Sequence, residues 1–292
     1  MVVGRNQNPW QECQVGKLQE EGGYLARRLS GGGAVYHDLG NLNFTFLLSP
    51  EDFDVERQIQ VIRRAAASYG LQVEQTGRND IVIQGRKFSG NAFYRRRDAA
   101  YHHGTILIQG DMGRLTRYLQ PDPRKLLSKG VRSVEARVAN LCHFCPSVTV
   151  PGMAQALREA MAQVYLSSPE DLCEEDLDRE AIAALQEKYA SWQWRFGAKI
   201  PFTNTFEGRF PWGGIRVDLA VDRGVIAQAS LTSDAMDSGF ITRLEEALQG
   251  RPYRQADLME ALSQARGPRP LAYEAGEDQI RDLQALIRQQ NL

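Results

Sequence analysis

A chain of 292 residues, 42% hydrophobic and 24% charged, has an ordinary globular composition with room for one large domain and a smaller one. Its 35 basic and 36 acidic residues leave a net charge of −1, which gives no electrostatic case for binding nucleic acid or a membrane surface. No basic-then-apolar leader opens the sequence and no long uncharged apolar run crosses it, so neither secretion nor membrane insertion is expected.

The opening Met1-Val2-Val3 reads as the end of a strand, and a sheet that starts there is expected to lack a neighbour. Residues 27–41, RRLSGGGAVYHDLGN, constrain function most tightly. Three consecutive glycines free the backbone to take φ > 0 and approach a ligand, and Arg27, Arg28, Ser30, His37 and Asn41 crowd donors around them. Exposed N–H groups beside guanidinium suit an anion, most often a phosphate. The spacing is neither G-x-x-x-x-G-K-[ST] nor G-x-G-x-x-G opening a helix, and the apolar residues that follow favour strands. A glycine loop leading into or between strands is expected, against the blander reading of a plain Gly-rich turn.

Residues 55–69 carry Val55, Ile59, Ile62, Ala65, Ala66 and Tyr69 at helical spacing, with Gly70 as a stop. Short strands are expected at 71–74, 81–83 and 101–109. Residues 85–90, GRKFSG, read as a hairpin-like turn that carries Lys87 among small residues, open to a ligand. A fixed ammonium there suits a reaction that brings phosphate and carboxylate together against their repulsion. The alternative is a surface lysine in a tight turn.

Short helical turns at 115–119 and 121–129 follow, then a helix at 153–165 preceded by a Pro151-Gly152 break, and an acidic, then helical stretch at 171–193. From Gly197 the pattern is strand-like, with runs at 210–212, 215–221 and 225–231 and a hairpin turn at Asp222-Arg223-Gly224. Helices at 240–248 and 255–265 complete the chain. The expected class is α+β: a large domain over residues 1–190 with a mixed β-sheet flanked by helices, a boundary within 191–199, and a small β-then-α domain over 197–292.

Other residues invite chemistry less strongly. Cys13, Cys142, Cys145 and Cys173 are too irregular for a disulfide framework, so reduced thiols and a cytoplasmic location are expected. Cys142 and Cys145 have C-x-x-C spacing but no second pair to complete a zinc set. His102 and His103 are adjacent and point to opposite sides of a strand, which argues against a shared metal. Trp192, Trp194 and Trp212 are expected to pack in a core or between domains. Arg95, Arg96 and Arg97 read as a solvated loop, or as a patch for an acidic partner.

Taken in order, several segments resemble the lipoate–protein ligase A family over nearly the whole chain. They are GRNQNPW at 4–10, the run at 27–41, Gly77-Arg78-Asn79-Asp80, KFSGNA at 87–92 and HHGT at 102–105. Arg132-Ser133-Val134, Arg137-Val138, Asn140-Leu141, Ser191-Trp192-Gln193-Trp194 and FPWGG at 210–214 continue the match. The resemblance implies a biotin/lipoate ligase-like fold and a two-step reaction. Lipoate attacks the α-phosphate of ATP to give lipoyl-AMP and pyrophosphate, and a carrier-domain lysine then takes the lipoyl group and releases AMP.

By motif position the resemblance makes Lys87 the catalytic residue, bridging lipoate carboxylate and α-phosphate. It puts Arg28, the Gly33-Ala34-Val35-Tyr36 backbone, Asn79 and Asp80 on the nucleotide. Ser30, His37, Ser89, Gly90, Ala92 and His103 would surround the lipoyl group. Mg²⁺ would accompany ATP on its phosphates rather than in a protein cage. The implied partners are lipoyl carrier domains of 2-oxoacid dehydrogenase E2 subunits and the glycine cleavage H protein.

Alternatives remain open at this point. Octanoyltransferases of the same broad fold form a cysteine thioester, for which Cys142 is the candidate. The family's usual strand–helix–strand ahead of the GRNQNPW segment is expected to be missing here, which fits a misassigned start, a truncation or a non-catalytic homologue. Phe88 and Asn91 stand where the family more often has a β-branched aliphatic and a small residue.

Overall fold

The computed structural model describes residues 1–77, 79–120, 137–196, 203–267 and 276–289. Arg78, the helical turns at 121–129, Arg132-Ser133-Val134 and the 197–199 end of the boundary segment lie outside the described residues. The chain packs as two compact units, Met1 with Tyr36–Tyr189 and Val2–Val35 with Ala190–Leu292.

The N-terminal part of the second unit holds β1 (Val2–Val3), α1 (Pro9–Glu12), α2 (Val15–Glu20) and β2 (Ala26–Arg27). Asn8 caps α1 by accepting from the Trp10 N–H, with Pro9 in the first turn where its missing donor costs nothing. β1 has a neighbour on each side: it runs parallel to β2, and Val2 bridges Val35 antiparallel.

The first unit is built on β3 (Asn41–Leu48), α3 (Val55–Ala67), β4 (Glu74–Thr76), β5 (Asp80–Ile83), β6 (Arg86–Arg95), β7 (Ala100–Leu107), α4 (Met112–Tyr118) and α5 (Val150–Tyr165). Its sheet has the order β3-β7-β6-β5-β4 and is antiparallel in every pairing. The expected α+β class holds: the five strands pair antiparallel, and a parallel bridge joins Lys87 of β6 to Val138. β4 to β7 follow one another through short connections, which return each strand beside its predecessor. The long crossover through α3 carries the chain from one edge strand to the other, so it creates no parallel neighbour.

Asp54 caps α3 by accepting from the Arg57 N–H, and the helix buries Val55, Ile59, Ile62, Ala65 and Ala66. α5 packs against α3. Pro151 and Gly152 lie inside the first turn of α5 rather than before it, because Thr149 is the N-cap and a proline there displaces no helical hydrogen bond.

The β5–β6 connection is two residues, Gln84 and Gly85, both with positive φ at 49° and 74°, the geometry that matches strand twist. The turn ends there, so Lys87 is a strand residue and the expected hairpin-like turn over 85–90 is instead the start of β6. Arg223 and Gly224 repeat that geometry in the hairpin that the sequence placed correctly.

The rest of the second unit comprises α6 (Arg179–Ala190), whose last residue opens it, then α7 (Trp192–Phe196), β8 (Asn204–Phe210), β9 (Gly213–Asp222), β10 (Val225–Ser233), α8 (Ser238–Leu248), α9 (Gln255–Gln264) and α10 (Gly276–Arg288). β8, β9 and β10 form an antiparallel meander, and Leu219, Ile226, Phe240, Ile241, Leu258 and Leu283 meet in its core. α10 was not expected, although Ile280, Leu283, Leu286 and Ile287 have helical spacing and are buried.

One buried residue of the first unit makes its stability depend on pH. His102 on β7 is wholly enclosed, and its pKa is pushed down to about 3, first by burial and then by the neighbouring His103. Its stabilising contribution is complete above the ordinary histidine value of 6.5. As pH falls, the unfolded chain takes a proton that the folded chain refuses until about 3. Each pH unit lost below that ordinary value costs up to about 1.4 kcal/mol. Denaturant unfolding between pH 6 and 5 is expected to show this slope in the native protein and a flatter one in His102→Gln; equal slopes refute the assignment.

Candidate functional site

In the second unit, the glycine run is shaped by contacts that leave no room for side chains. A Cβ on Gly31 would stand 2.2 Å from the Ala235 carbonyl oxygen, and Gly32 has φ +86° while its N–H donates to that same oxygen at 3.0 Å. The Arg28 guanidinium folds over the loop, donating to the carbonyls of Gly31 at 2.7 Å and Gly33 at 2.8 Å and to the Ser30 hydroxyl at 3.1 Å. Val35 is tied back to β1 through its N–H and the Val2 carbonyl at 2.9 Å. Among the described residues nothing accepts from the N–H groups of Gly33 or Ala34. The loop therefore presents two adjacent backbone donors beside a guanidinium, the chemistry of an anion cradle.

Arg27, unassigned by the sequence, anchors this arrangement. Its buried guanidinium donates to the carbonyls of Gly4, Arg5, Gln7, Trp194 and Arg195. Burial, and then Arg5, lower its pKa to about 10. Trp194 returns a hydrogen bond from its indole N–H to the Arg27 carbonyl at 2.9 Å, and Arg5 lies over its ring. Trp212 is buried as expected, whereas Trp192 is 60% exposed and stacks on Phe196.

In the first unit the centre is Asp80. Its carboxylate holds Lys87 Nζ at 2.6 Å and Arg137 Nη2 at 2.5 Å. Burial works to raise the Asp80 pKa, but the charges and hydrogen bonds of Lys87 and Arg137 outweigh it and hold the group below its ordinary value. Residues 137–139 reach this point by pairing with the start of β6: Lys87 bridges Val138, the Ala139 N–H donates to the Lys87 carbonyl at 2.9 Å, and Arg86 donates to the Val138 carbonyl.

The placement of Lys87 depends on a bulge. Val82 pairs with Lys87 but Ile81 pairs with Ser89, which leaves Phe88 as the extra residue. Directly opposed residues share a face, so Lys87 and Val82 lie with Asp80 and Gly90. Through Ala92↔His103 and Gly90↔Thr105 that same face carries Ala92 and His103. Gly90 gives the lysine its room, since a Cβ there would meet Nζ at 2.7 Å. Lys87, Asp80, Gly90, Ala92 and His103 are thus brought together, while Ser89 is buried on the opposite face with Asn91 and His102.

Asn79 lies beside Asp80 and is bonded to Asn91. Tyr36 and His37 precede β3; Tyr36 accepts from the Asn41 amide through its carbonyl and rests against Tyr118. Arg28, Ser30, Gly33, Ala34 and Val35 belong to the other unit. Arg137, Asn91, His102 and Gln58 were not named as site residues by the sequence reading. Arg95, Arg96 and Arg97 are exposed, and Cys142 and Cys145 are half-buried free thiols. Among the described residues no group of three His, Cys, Asp or Glu side chains could hold a metal ion, and no helix is long and apolar enough to cross a membrane.

Comparison with known proteins places these features in context. Residues 1–162 match the family model for the lipoyl protein ligase A/B catalytic domain, and residues 199–283 match that for the bacterial lipoate protein ligase C-terminus. A lipoate-protein ligase A from Psychrobacter cryohalolentis is 39% identical over 266 residues, spanning 88% of this chain and 78% of that protein. Among solved structures, P. falciparum LipL1 in complex with lipoate superposes with a TM-score of 0.82 at 28% identity, covering 99% of this chain and 84% of the other. A bipartite lipoate protein ligase of Thermoplasma acidophilum, described with its E2 lipoyl domain, gives 0.58 at 28%, covering 68% and 81%. A lipoate-protein ligase A bound with ATP gives 0.57 at 27%, covering 67% and 81%.

The Asp80 cluster carries a pH signature of its own. Its pKa is depressed, so its stabilising contribution is complete above the ordinary value of 3.8 and is lost as pH falls through the lower folded value. Asp80→Asn leaves two cations facing each other and is expected to cost about 3–5 kcal/mol at neutral pH. The gap between native and variant protein should narrow in acid; a gap that does not change between neutral and strongly acidic solution counts against the ion cluster as its source.

Proposed function

The chain belongs to the lipoate-protein ligase family, and from that premise we propose that it joins lipoate to a lysine of a lipoyl carrier domain through lipoyl-AMP. It is an enzyme of the ligase class, and lipoate and ATP are the substrates that go with that class. The observation that carries the reading is the Lys87 ammonium, fixed at 2.6 Å from Asp80 above a glycine. Lys87 and Arg137 share that carboxylate, and the Lys87 ammonium fills the space that a side chain at position 90 would take.

In the first step a carboxylate oxygen of lipoate attacks the α-phosphorus of ATP, and the bond from that phosphorus to the pyrophosphate oxygen breaks. Lys87 lies between the two anions, lowers their repulsion and follows the charge onto the transition state. Asp80 and Arg137 keep it oriented, so little reorganisation remains when the substrates arrive. The Gly33 and Ala34 N–H groups, with Arg28, take nucleotide phosphate oxygens, and Tyr36, Asn79 and Asp80 contribute to the nucleotide side. Ser30, His37, Gly90, Ala92 and His103 contribute to the lipoyl side, whereas Ser89 is buried on the opposite face of the sheet.

In the second step a carrier lysine amine attacks the acyl carbonyl carbon, the bond to the AMP oxygen breaks, AMP leaves, and the amine gives up a proton. Mg²⁺ would accompany ATP on its phosphate oxygens, where it would offset their charge. E2 lipoyl domains and the glycine cleavage H protein are the carriers we propose, supported by the lipoyl domain named with the Thermoplasma ligase. We assign catalysis to residues 1–190 and an accessory role to 197–292, in line with the two family matches, and a cytoplasmic location in line with four free cysteines. The thioester alternative through Cys142 is not favoured, because the relatives are ligases and the match extends through the C-terminal domain.

Lys87→Ala is expected to cut lipoate-dependent ATP–pyrophosphate exchange by about 100-fold or more while circular dichroism stays native. Exchange near the native rate would remove Lys87 from the mechanism. Carrier modification from lipoate should require ATP; modification from an octanoyl-carrier donor without ATP would instead favour the transferase.

A further inference from the structure

A buried polar chain lies on the face of the sheet opposite Lys87. Gln58 of α3, His102 of β7 and Asn91 of β6 are enclosed there. His102 Nε2 stands 2.8 Å from Asn91 Oδ1, and His102 Nδ1 stands 2.9 Å from Gln58 Oε1. Asn91 Nδ2 donates to the Asn79 carbonyl at 3.1 Å, so the Asn91 oxygen is the atom turned toward the imidazole. Nε2 must then carry the ring hydrogen.

With its pKa pushed down to about 3 by burial, the ring is neutral and presents a lone pair at Nδ1. That lone pair needs a donor. Gln58 supplies one when its carboxamide is turned so that Nε2, rather than Oε1, faces the ring. This orientation gives Gln58 Nε2 the partner that it otherwise lacks. Donation then runs in one direction, from Gln58 to His102 to Asn91 to Asn79.

The far end of the chain is the part that matters for chemistry. The Asn79 carbonyl receives two donors from Asn91, the side-chain amide and the main-chain N–H at 2.9 Å, and Asn79 Nδ2 donates back to the Asn91 carbonyl at 3.0 Å. Three bonds therefore fix Asn79, and the next residue is Asp80, whose carboxylate holds Lys87. Alternation puts the polar chain and the ammonium on opposite faces, so they communicate through this backbone clamp.

We infer that His102 is a positioning residue for Lys87, acting through Asn91, Asn79 and Asp80. The inference rests on the reading that Lys87 serves adenylate formation, and its sharpest test does not require that reading to hold.

His102→Gln places an amide nitrogen where Nε2 stands and keeps the donor to Asn91, whereas His102→Asn places one near Nδ1 and loses it; both are uncharged. Asn91→Leu removes the link without adding charge. Acetic anhydride labelling of the folded full-length proteins, read by peptide mass spectrometry, compares Lys87 with exposed Lys17 as internal standard. Lys87 labelling relative to Lys17 is expected to rise about tenfold in His102→Asn and Asn91→Leu and to stay near native in His102→Gln. ATP–pyrophosphate exchange should follow the same ranking, with kcat falling about 10- to 100-fold and KM for ATP nearly unchanged.

Equal Lys87 labelling in all variants, or His102→Gln behaving like His102→Asn, overturns the inference. Should His102→Asn fail to fold, Asn91→Leu against His102→Gln decides. If the native protein shows no exchange, the ligase reading fails and the labelling result alone judges the positioning role.

Discussion

The first unit is organised around one carboxylate that serves two cations. Asp80 lies at the start of β5, Lys87 near the start of β6, and Arg137 arrives from a segment far along the chain. A buried carboxylate is expensive unless its charge is answered, and here it is answered twice. Lys87 and Arg137 bring two positive charges to that one carboxylate. The same contact holds residues 137–139 against β6, since the Lys87 backbone pairs with that segment while its side chain pairs with Asp80.

Much of this was legible in residue types and little of it in their geometry. The GRKFSG segment announced a lysine among small residues, and Gly90 does make the space for its side chain. Strict alternation, however, puts Lys87 with Ser89 and away from Gly90. The bulge at Phe88 reverses that parity, re-aiming the lysine while Phe88 itself goes into the core. A two-residue period contains no signal for an inserted residue, and phenylalanine fits a bulge and a regular strand equally well. Arg137 was quoted within a motif but could not be linked to Asp80, because long-range pairing of two charges leaves no trace in spacing.

The glycine run was read correctly as a loop whose backbone matters, yet its packing partner was invisible. Gly31 is required by the Ala235 carbonyl, a residue some 200 positions downstream, and the buried Arg27 joins residues 4–7 to 194–195 through carbonyls alone. A guanidinium can be neutralised by backbone dipoles without any acidic partner, so charge patterning does not reveal such an anchor. The α10 helix is a different kind of omission: its apolar spacing was present, and its high charge content obscured it.

The two proposed anion sites differ in kind, and the difference bears on how the proposed reaction meets pH. Backbone N–H groups do not titrate at all, arginine stays charged throughout the useful range, and Asp80 is held ionised below its ordinary value. His102, the histidine nearest in structure to the clamp on Asp80, stays neutral down to about 3. A first step that displaces pyrophosphate with an already ionised carboxylate asks for no proton transfer, and the described residues around Lys87 supply charge and position rather than a base. The second step is different, because a carrier ammonium must lose a proton before it can attack. The pH dependence of the proposed second step therefore belongs to the incoming lysine, while the Asp80 carboxylate beside Lys87 stays ionised across the neutral range.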